Sequence, residues 1–348
     1  MGSIYDMREE FYQDFISSDT TATEEGNDPL EVIIKDNTLD VNKIIEYKDE
    51  TSNFKHDFKP LTWEQFIGQS EAKERAKFLV KKANKGIKSH FLVDGIKGHG
   101  KTTYIELFAN DLDAHLIKRI GKQINEENLI DIINEINCSK KQHVIFFCDE
   151  IDSMESKVIK ILNPILENFE IAGKKIKPFI FAGATINKHV LIKNNPDTLD
   201  RIPTHIKFVR YTYEELSIII KQYKDNLYAD ETIRSNIYGE IAKNCKFNPR
   251  TAIALLSDYM VEDNVDKILK SWGVVKDGLT TVDIRILKTL AESKKALGAN
   301  CLALKCGLSE KEYTTEIEPF LLEFGYINRV PSRIITEKGK GFLNAINI

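Results

Sequence analysis

Through the middle of the chain, short and mostly apolar runs alternate with stretches in which apolar residues return every three or four positions. The runs fall at 91–93, 116–119, 144–148, 179–182 and 206–209. Runs of this length fit strands buried on both faces, and their alternation with helical periods predicts an α/β domain built on a parallel sheet. Three patterns mark predicted helix starts: Thr62…Gln65, Thr212…Glu215 and Ser309…Glu312. After Thr212 the strand-like runs stop, and helical periodicity continues to about residue 272. Val274-Val275-Lys276-Asp277-Gly278 reads as a linker. Beyond it come helices over 282–290, 300–305 and 309–324, the last placing Tyr313, Ile317, Leu321 and Phe324 on one face. A strand pair over 326–330 and 333–336 follows, turned at Pro331-Ser332. Three helices and a hairpin predict the winged-helix form of the helix-turn-helix. The expected division is a leader over 1–55, a nucleotide-binding domain over 56–210, a helical lid over 211–276 and a winged helix over 277–348.

Charge changes this picture at the two ends. The first 58 residues hold fifteen acids against five bases, which leaves +6 on the rest of a chain whose net charge is −4. A basic body behind an acidic leader suits a nucleic-acid partner for the body. The leader reads either as a solubilising tail or as a protein-docking segment, with 31–47 apolar enough for a small docking element. Around the predicted wing, Arg329, Arg333, Lys338 and Lys340 stand against a single Glu337. Such cations contact phosphates without reading sequence. The preceding helix carries Glu310, Glu312, Glu316 and Glu318 against Lys311, so it is a poor base reader, and a protein-docking winged helix stays open. Five cysteines form no C-x-x-C pair and read as reduced thiols. No apolar run approaches the ~18 residues of a membrane span, and no secretory signal is evident, so a cytoplasmic protein is expected.

The candidate chemistry centres on Gly95-Ile96-Lys97-Gly98-His99-Gly100-Lys101-Thr102-Thr103. It follows an apolar run and opens a predicted helix over 103–112, the context a phosphate-binding loop needs. Glycines let backbone N–H groups curl around an anion, and the helix N-terminus adds partial positive charge. Lys101 would reach the β- and γ-phosphates and the Thr102 hydroxyl would ligate Mg²⁺. The run His143 to Phe147 ends in Cys148-Asp149-Glu150. There Asp149 would hold the metal and Glu150 would polarise the attacking water. Asp152 and Glu155 beyond it read as solvated surface. Arg201, in Asp200-Arg201-Ile202-Pro203, and Arg250, in Asn248-Pro249-Arg250, are candidate γ-phosphate cations or ordinary surface arginines.

In this order, the P-loop, DEID, GAT, DRI and NPR stretches resemble AAA+ ATPases. Within them the chain is similar, from about residue 59 to 345, to the RuvB family of Holliday-junction branch-migration motors. Further carrying stretches are Phe66-Ile67-Gly68-Gln69, YTYEEL over 211–216 and IEPFLLEFGYINRVPSR over 317–333. The resemblance implies a hexameric ring that hydrolyses ATP between subunits and pulls duplex or four-way-junction DNA. It implies Arg201 as an arginine finger acting in trans, Arg250 as sensor 2 in cis, and Thr185, with Asn187 beside it, as sensor 1. Lys59, Pro60, Phe66 and Ile67 would flank the base, with Tyr211 and Pro249 completing the nucleotide site.

The chain departs from the family in four places. Only Glu170 to Pro178 stand where RuvB proteins carry a longer hairpin that docks RuvA. Ile186 replaces a customary threonine, Arg201 is followed by Ile-Pro rather than Phe-Gly, and the acidic leader has no counterpart. These imply a divergent relative from a bacterial cell or phage-infected host, with a different or built-in loading partner. The alternative is an AAA+ loader or assembly ATPase of clamp-loader or initiator type, although such subunits usually carry Ser-Arg-Cys at the finger.

Overall fold

The computed structural model describes residues 58–293 and 295–346. The leader expected over 1–55, with its docking role, lies outside them. From α1 (Ser70–Asn84) the chain enters β1 (Phe91–Asp94), turns through the glycine loop into α2 (Lys101–Asp111) and returns as β2 (His115–Ile120). Next come α3 (Glu126–Cys138), β3 (Val144–Asp149), α4 (Ser156–Asn168) and a hairpin of β4 (Glu170–Ile171) and β5 (Lys174–Lys175). Then follow β6 (Ile180–Thr185), the short α5 (Lys188–Asn194) and α6 (Pro196–Arg201), and β7 (Thr204–Lys207). Five strands form one parallel sheet in the order β2-β3-β6-β1-β7. Successive side chains feed opposite faces. Leu92, Phe146, Cys148 and Phe181 pack with α3 and α4, while Phe91, Val93, Ile145 and Phe147 pack with α1 and α2. The sheet is therefore buried on both sides, as its apolar runs predict. Its carboxyl edge carries the polar ends Asp94, Asp149 and Thr185, with Asp94 in register with Thr185.

The last strand ends earlier than expected. Val209 leaves the sheet because the Gln69 side-chain amide grips its backbone, donating to Val209 O at 2.7 Å and accepting from its N–H at 3.0 Å. The Thr62–Gln65 pattern forms only one turn, in which Gln65 Oε1 accepts the Leu61 N–H at 2.8 Å, and the helix starts at Ser70.

A four-helix unit follows: α7 (Tyr213–Leu227), α8 (Ser235–Asn244), α9 (Pro249–Glu262) and α10 (Val265–Ser271). Thr212 and Glu215 form the reciprocal capping box that opens α7. The stretch read as a linker is instead a hairpin of β8 (Val274–Lys276) and β9 (Leu279–Thr280), turned at Asp277 and Gly278 with φ of 51° and 78°. Positive φ at both turn residues is what Asp-Gly favours in a two-residue hairpin.

The final unit holds α11 (Thr281–Glu292), α12 (Ala299–Lys305), α13 (Glu310–Glu312), a π-turn over Tyr313–Ile317 and α14 (Glu318–Glu323). It closes with β10 (Ile327–Arg329), β11 (Arg333–Ile335) and α15 (Glu337–Ala345). The helix expected over 309–324 is thus three pieces. Pro319 lacks an N–H and its ring crowds the preceding turn, so the backbone widens there. The closing helix α15 was not expected, and it takes Lys338 and Lys340 off the wing.

The lid and the winged helix meet through one loop. Phe247 stacks on Tyr213 (4.6 Å) and on Phe324 (4.7 Å, 9° between planes). Beside it Lys246 Nζ reaches the buried Asp283 at 2.6 Å. At the edge of the sheet unit, Arg210 pairs with Glu323 at 2.7 Å.

Candidate nucleotide site and wing

The site grows from the carboxyl edge of the sheet. Between β1 and α2 the chain passes Gly98 and Gly100 at φ of 82° and 87°, a conformation in which a side chain is strained. Space is equally restrictive: a Cβ at Gly98 would meet Asn248 Oδ1 at 2.5 Å, and one at Gly100 would meet the Phe66 ring at 2.9 Å. The α2 N-terminus then opens at Lys101, with its free N–H groups facing the loop.

Lys101 is 8% exposed and folds onto its own loop, with Nζ donating to Gly95 O at 2.6 Å and Ile96 O at 3.1 Å. Burial pulls its pKa down, and Asp149, Asp94, Asp152 and Glu150 pull it back up, so the ammonium is poised among acids. Thr102 Oγ1 lies 3.5 Å from Asp149 Oδ2, and Asp149 Oδ1 accepts the Glu150 N–H at 3.0 Å. A hydroxyl and a carboxylate so placed, at the mouth of an anion cradle, fit a hard cation held with a phosphate.

Lid and sheet enclose a cavity of about 820 Å³, large enough for a nucleotide. Its wall includes Lys97, Gly98, His99, Gly100, Lys101, Thr102 and Thr103 from the loop, and Asp149, Glu150 and Thr185 from strand ends. Lys59, Pro60, Phe66 and Ile67 line it on the approach to α1, and Tyr211, Pro249 and Arg250 line it on the lid side. Gly95 is not on the wall: it sits against Phe208 and contributes the carbonyl that holds Lys101.

His99 is buried at 1%, its Nδ1 lies 3.3 Å from Lys97 O, and burial drives its pKa down to about 4. The ring is therefore neutral, and its Nε2 has no hydrogen-bond partner among the described residues. The Tyr211 hydroxyl, its pKa raised by burial, donates to His99 O at 3.1 Å and ties the lid to the loop. Asn248 adds a second tie, with Nδ2 donating to Lys97 O at 3.2 Å while Oδ1 caps α9 at the Arg250 N–H.

Arg201 stands apart from the cavity wall. At the end of α6 it donates from Nε to Glu167 Oε2 at 3.1 Å and from a terminal nitrogen to Asp197 O at 2.8 Å. Asp152 does not behave as solvated surface, since it accepts the Thr185 hydroxyl. Sequence reasoning missed the roles of Asp152 and Asn248, and it named none of Gln222, Ser257 and Asp258, which line the cavity from the lid. Asn248 carried a signal, an N-cap residue before proline, but the partner across the cavity is invisible in one dimension.

At the wing the four expected cations divide. Arg333 is 7% exposed and donates through Nε and a terminal nitrogen to Glu318, which also receives the Tyr313 hydroxyl. Its assignment as a DNA contact is corrected: the guanidinium is consumed inside the fold, and Glu318 is no part of an acidic surface. Lys338 donates to Phe324 O at 2.7 Å over the Tyr326 ring, and Lys340 pairs with Glu337 at 2.8 Å. Arg329 is half-exposed, 3.6 Å from Glu318.

A glycine-rich phosphate cradle, paired acids on the adjacent strand, and a helical lid carrying Asn248 and Arg250 define a P-loop ATPase of the AAA+ class. The family profile "Holliday junction DNA helicase RuvB P-loop domain" matches residues 58–193, and "RuvB C-terminal winged helix domain" matches 276–344. The chain is 31% identical over 314 residues to the Holliday junction branch migration complex subunit RuvB of Nitratiruptor sp., covering 82% of this chain and 90% of that protein. It is 30% identical over 323 residues to the corresponding subunit of Campylobacter fetus, at 84% and 91% coverage. Among solved structures, the Thermotoga maritima RuvB Holliday junction branch migration motor superposes with a TM-score of 0.70 at 28% identity, covering 82% of this chain and 98% of that one. The chain belongs to the RuvB family.

Proposed function

We propose that the chain is an ATP-driven motor that moves Holliday-junction DNA, working as a hexameric ring with one nucleotide per subunit interface. The observation that carries this reading is the division of cations around the cavity. Lys101 and Arg250 line it from the same chain, while Arg201 lies outside it, paired with Glu167, and would exchange that partner to serve a neighbour.

Lys101 would leave the Gly95 and Ile96 carbonyls for the β- and γ-phosphates, exchanging two backbone acceptors for charged oxygens. Thr102 and Asp149 would hold Mg²⁺, which when bound neutralises charge on those oxygens. Glu150 would orient the attacking water, Thr185 would sense the γ-phosphate, and Arg201 of the adjacent subunit would stabilise charge developing on it. Lys59, Pro60, Phe66, Ile67 and Tyr211 would seat the base and Pro249 the lid edge. A change at the γ-phosphate would reach the lid through Arg250 and Asn248 and rock it against the sheet domain. In this reading the working parts are 56–210, 211–276 and 277–348, with Arg329, Lys338 and Lys340 on the DNA backbone and Arg333 as their internal support. The acidic leader would take a protein partner, because β4–β5 is too short to act as a docking arm: it turns on two residues, Ala172 and Gly173.

The test is steady-state ATP hydrolysis with and without linear duplex, single-stranded and four-way-junction DNA. Stimulation by duplex or junction supports the motor; a flat response supports a loader or assembly ATPase instead. Arg201→Ala should bind ATP yet not turn it over. Mixing it with Glu150→Gln should restore some hydrolysis at mixed interfaces, and no recovery would refute a finger acting in trans.

A further inference from the structure

Asp152 has no role in the scheme above, yet it controls a group that does. It sits in the turn Ile151–Ser153 after the paired acids, and its Oδ1 accepts the Thr185 hydroxyl proton at 2.5 Å. The Asn187 backbone N–H donates to the same Thr185 oxygen at 3.0 Å. A threonine hydroxyl has one proton and two lone pairs. Here the proton is committed to a carboxylate and one lone pair to Asn187. Thr185 is 1% exposed but lines the cavity, so a phosphate arriving there meets an oxygen with no proton to give. To donate to a phosphate, the hydroxyl must turn away from Asp152.

We propose that Asp152 is a positioning residue that makes Thr185 a two-state donor. The hydroxyl is held by Asp152 when no γ-phosphate is present and is handed to a γ-phosphate oxygen when one arrives. This rests on the reading of Thr185 as the γ-phosphate sensor. Binding a triphosphate breaks one charge-assisted hydrogen bond that binding a diphosphate leaves intact. Asp152 therefore weakens ATP relative to ADP and draws the hydroxyl back once phosphate has left. Neither effect follows from a carboxylate that only supports the turn.

The experiment compares equilibrium affinities of the full chain for ADP and for slowly hydrolysed ATPγS, with Mg²⁺ present. The variants are Asp152→Ala, the milder Asp152→Asn, Thr185→Val, and the Asp152→Ala/Thr185→Val double substitution. Asp152→Ala should raise the preference for ATPγS over ADP about tenfold, the lower end for a hydrogen bond to a charged group. Asp152→Asn should shift it the same way by less, since a neutral amide oxygen is the weaker acceptor. In the Thr185→Val background, Asp152→Ala should change nothing further. During turnover, the KM for ATP should fall in Asp152→Ala without a rise in kcat. Equal shifts for both nucleotides, or an undiminished shift in the Thr185→Val background, would overturn the proposal. If Thr185→Val leaves both the preference and the turnover rate unchanged, the sensor reading fails first and the proposal with it. A preference that responds to Thr185→Val but to neither Asp152 variant sinks the proposal alone.

Discussion

Glu318 concentrates more of the winged helix on one side chain than any sequence pattern announces. It is 2% exposed and receives Arg333 twice, the Tyr313 hydroxyl at 3.2 Å, and Arg329 at 3.6 Å. Glu318→Ala would strand a guanidinium in a nearly dry site, a change worth about 3–5 kcal/mol. A fall in the thermal midpoint, with nucleotide affinity kept at a temperature below it, is the expected result. Buried histidines impose a second dependence. His90 accepts the Phe181 N–H at 2.9 Å, and its other nitrogen lies 3.1 Å from Leu166 O; burial, with Lys88 nearby, takes its pKa to about 4, as burial does for His99. Between the ordinary histidine value of 6.5 and about 4, the unfolded chain binds protons that the folded chain refuses. Stability is therefore whole above pH 6.5 and declines as pH falls toward 4, by up to roughly 3 kcal/mol per histidine. Thermal unfolding at pH 7.5, 6 and 5 should show a falling midpoint, and His90→Asn should flatten the slope. Arg333 and Asp152 show why such residues are hard to read from sequence. A cation near a wing and an acid after a strand look solvated until the partner, 15 or 33 positions away, is seen beside them.

The glycine loop and the strand that ends in Asp149 were legible because their chemistry is local. Spacing fixes the cradle, and burial on both faces of the sheet leaves apolar runs that sequence displays directly. The Asp277-Gly278 hairpin and the broken helix around Pro319 were misread for the converse reason. Each is decided by a turn residue acting inside a longer pattern, and the pattern alone suggests a linker or a continuous helix. Helix α15 escaped because Gly339 and Gly341 interrupt a short amphipathic run. A direct test of the cradle is Gly98→Ala. Its Cβ would stand 2.5 Å from Asn248 Oδ1 on a backbone at φ 82°. Nucleotide affinity should fall at least about tenfold, a strain of one to three kcal/mol. Asn248→Ala in the same chain should recover part of that loss by removing the clash. An equilibrium titration with ADP separates these outcomes. Lys101→Ala should abolish nucleotide binding in the same assay.

Among the described residues, the lid meets its two neighbours through seams of different character. The lid meets the nucleotide loop through two hydrogen bonds, Tyr211 on His99 O and Asn248 on Lys97 O, and a tilted contact of the Tyr211 and His99 rings at 5.7 Å. It meets the winged helix through the Tyr213–Phe247–Phe324 stack and the Lys246–Asp283 pair. Phe247→Ala would remove the middle ring, which is partly buried, at a cost of about 1–3 kcal/mol. It should split one thermal transition into two while leaving basal ATP hydrolysis near its starting rate. DNA-stimulated hydrolysis should fall, and a variant that keeps both a single transition and full stimulation would show that the stack carries no coupling.

The stack also sets the gearing of the molecule. Polar contacts can be made and broken as the cavity fills and empties, whereas stacked rings less than 5 Å apart resist being pulled out of register. The lid would then give more readily on its cavity side than on the side of the winged helix. A rotation of a few degrees begun at Arg250 would reach the tip at Pro331 as a proportionate sweep, with no lost motion at the joint between. Such a transmission would be tuned by the length of the arm, and the step taken along a track would be fixed by the build of the protein rather than by the strength of its grip.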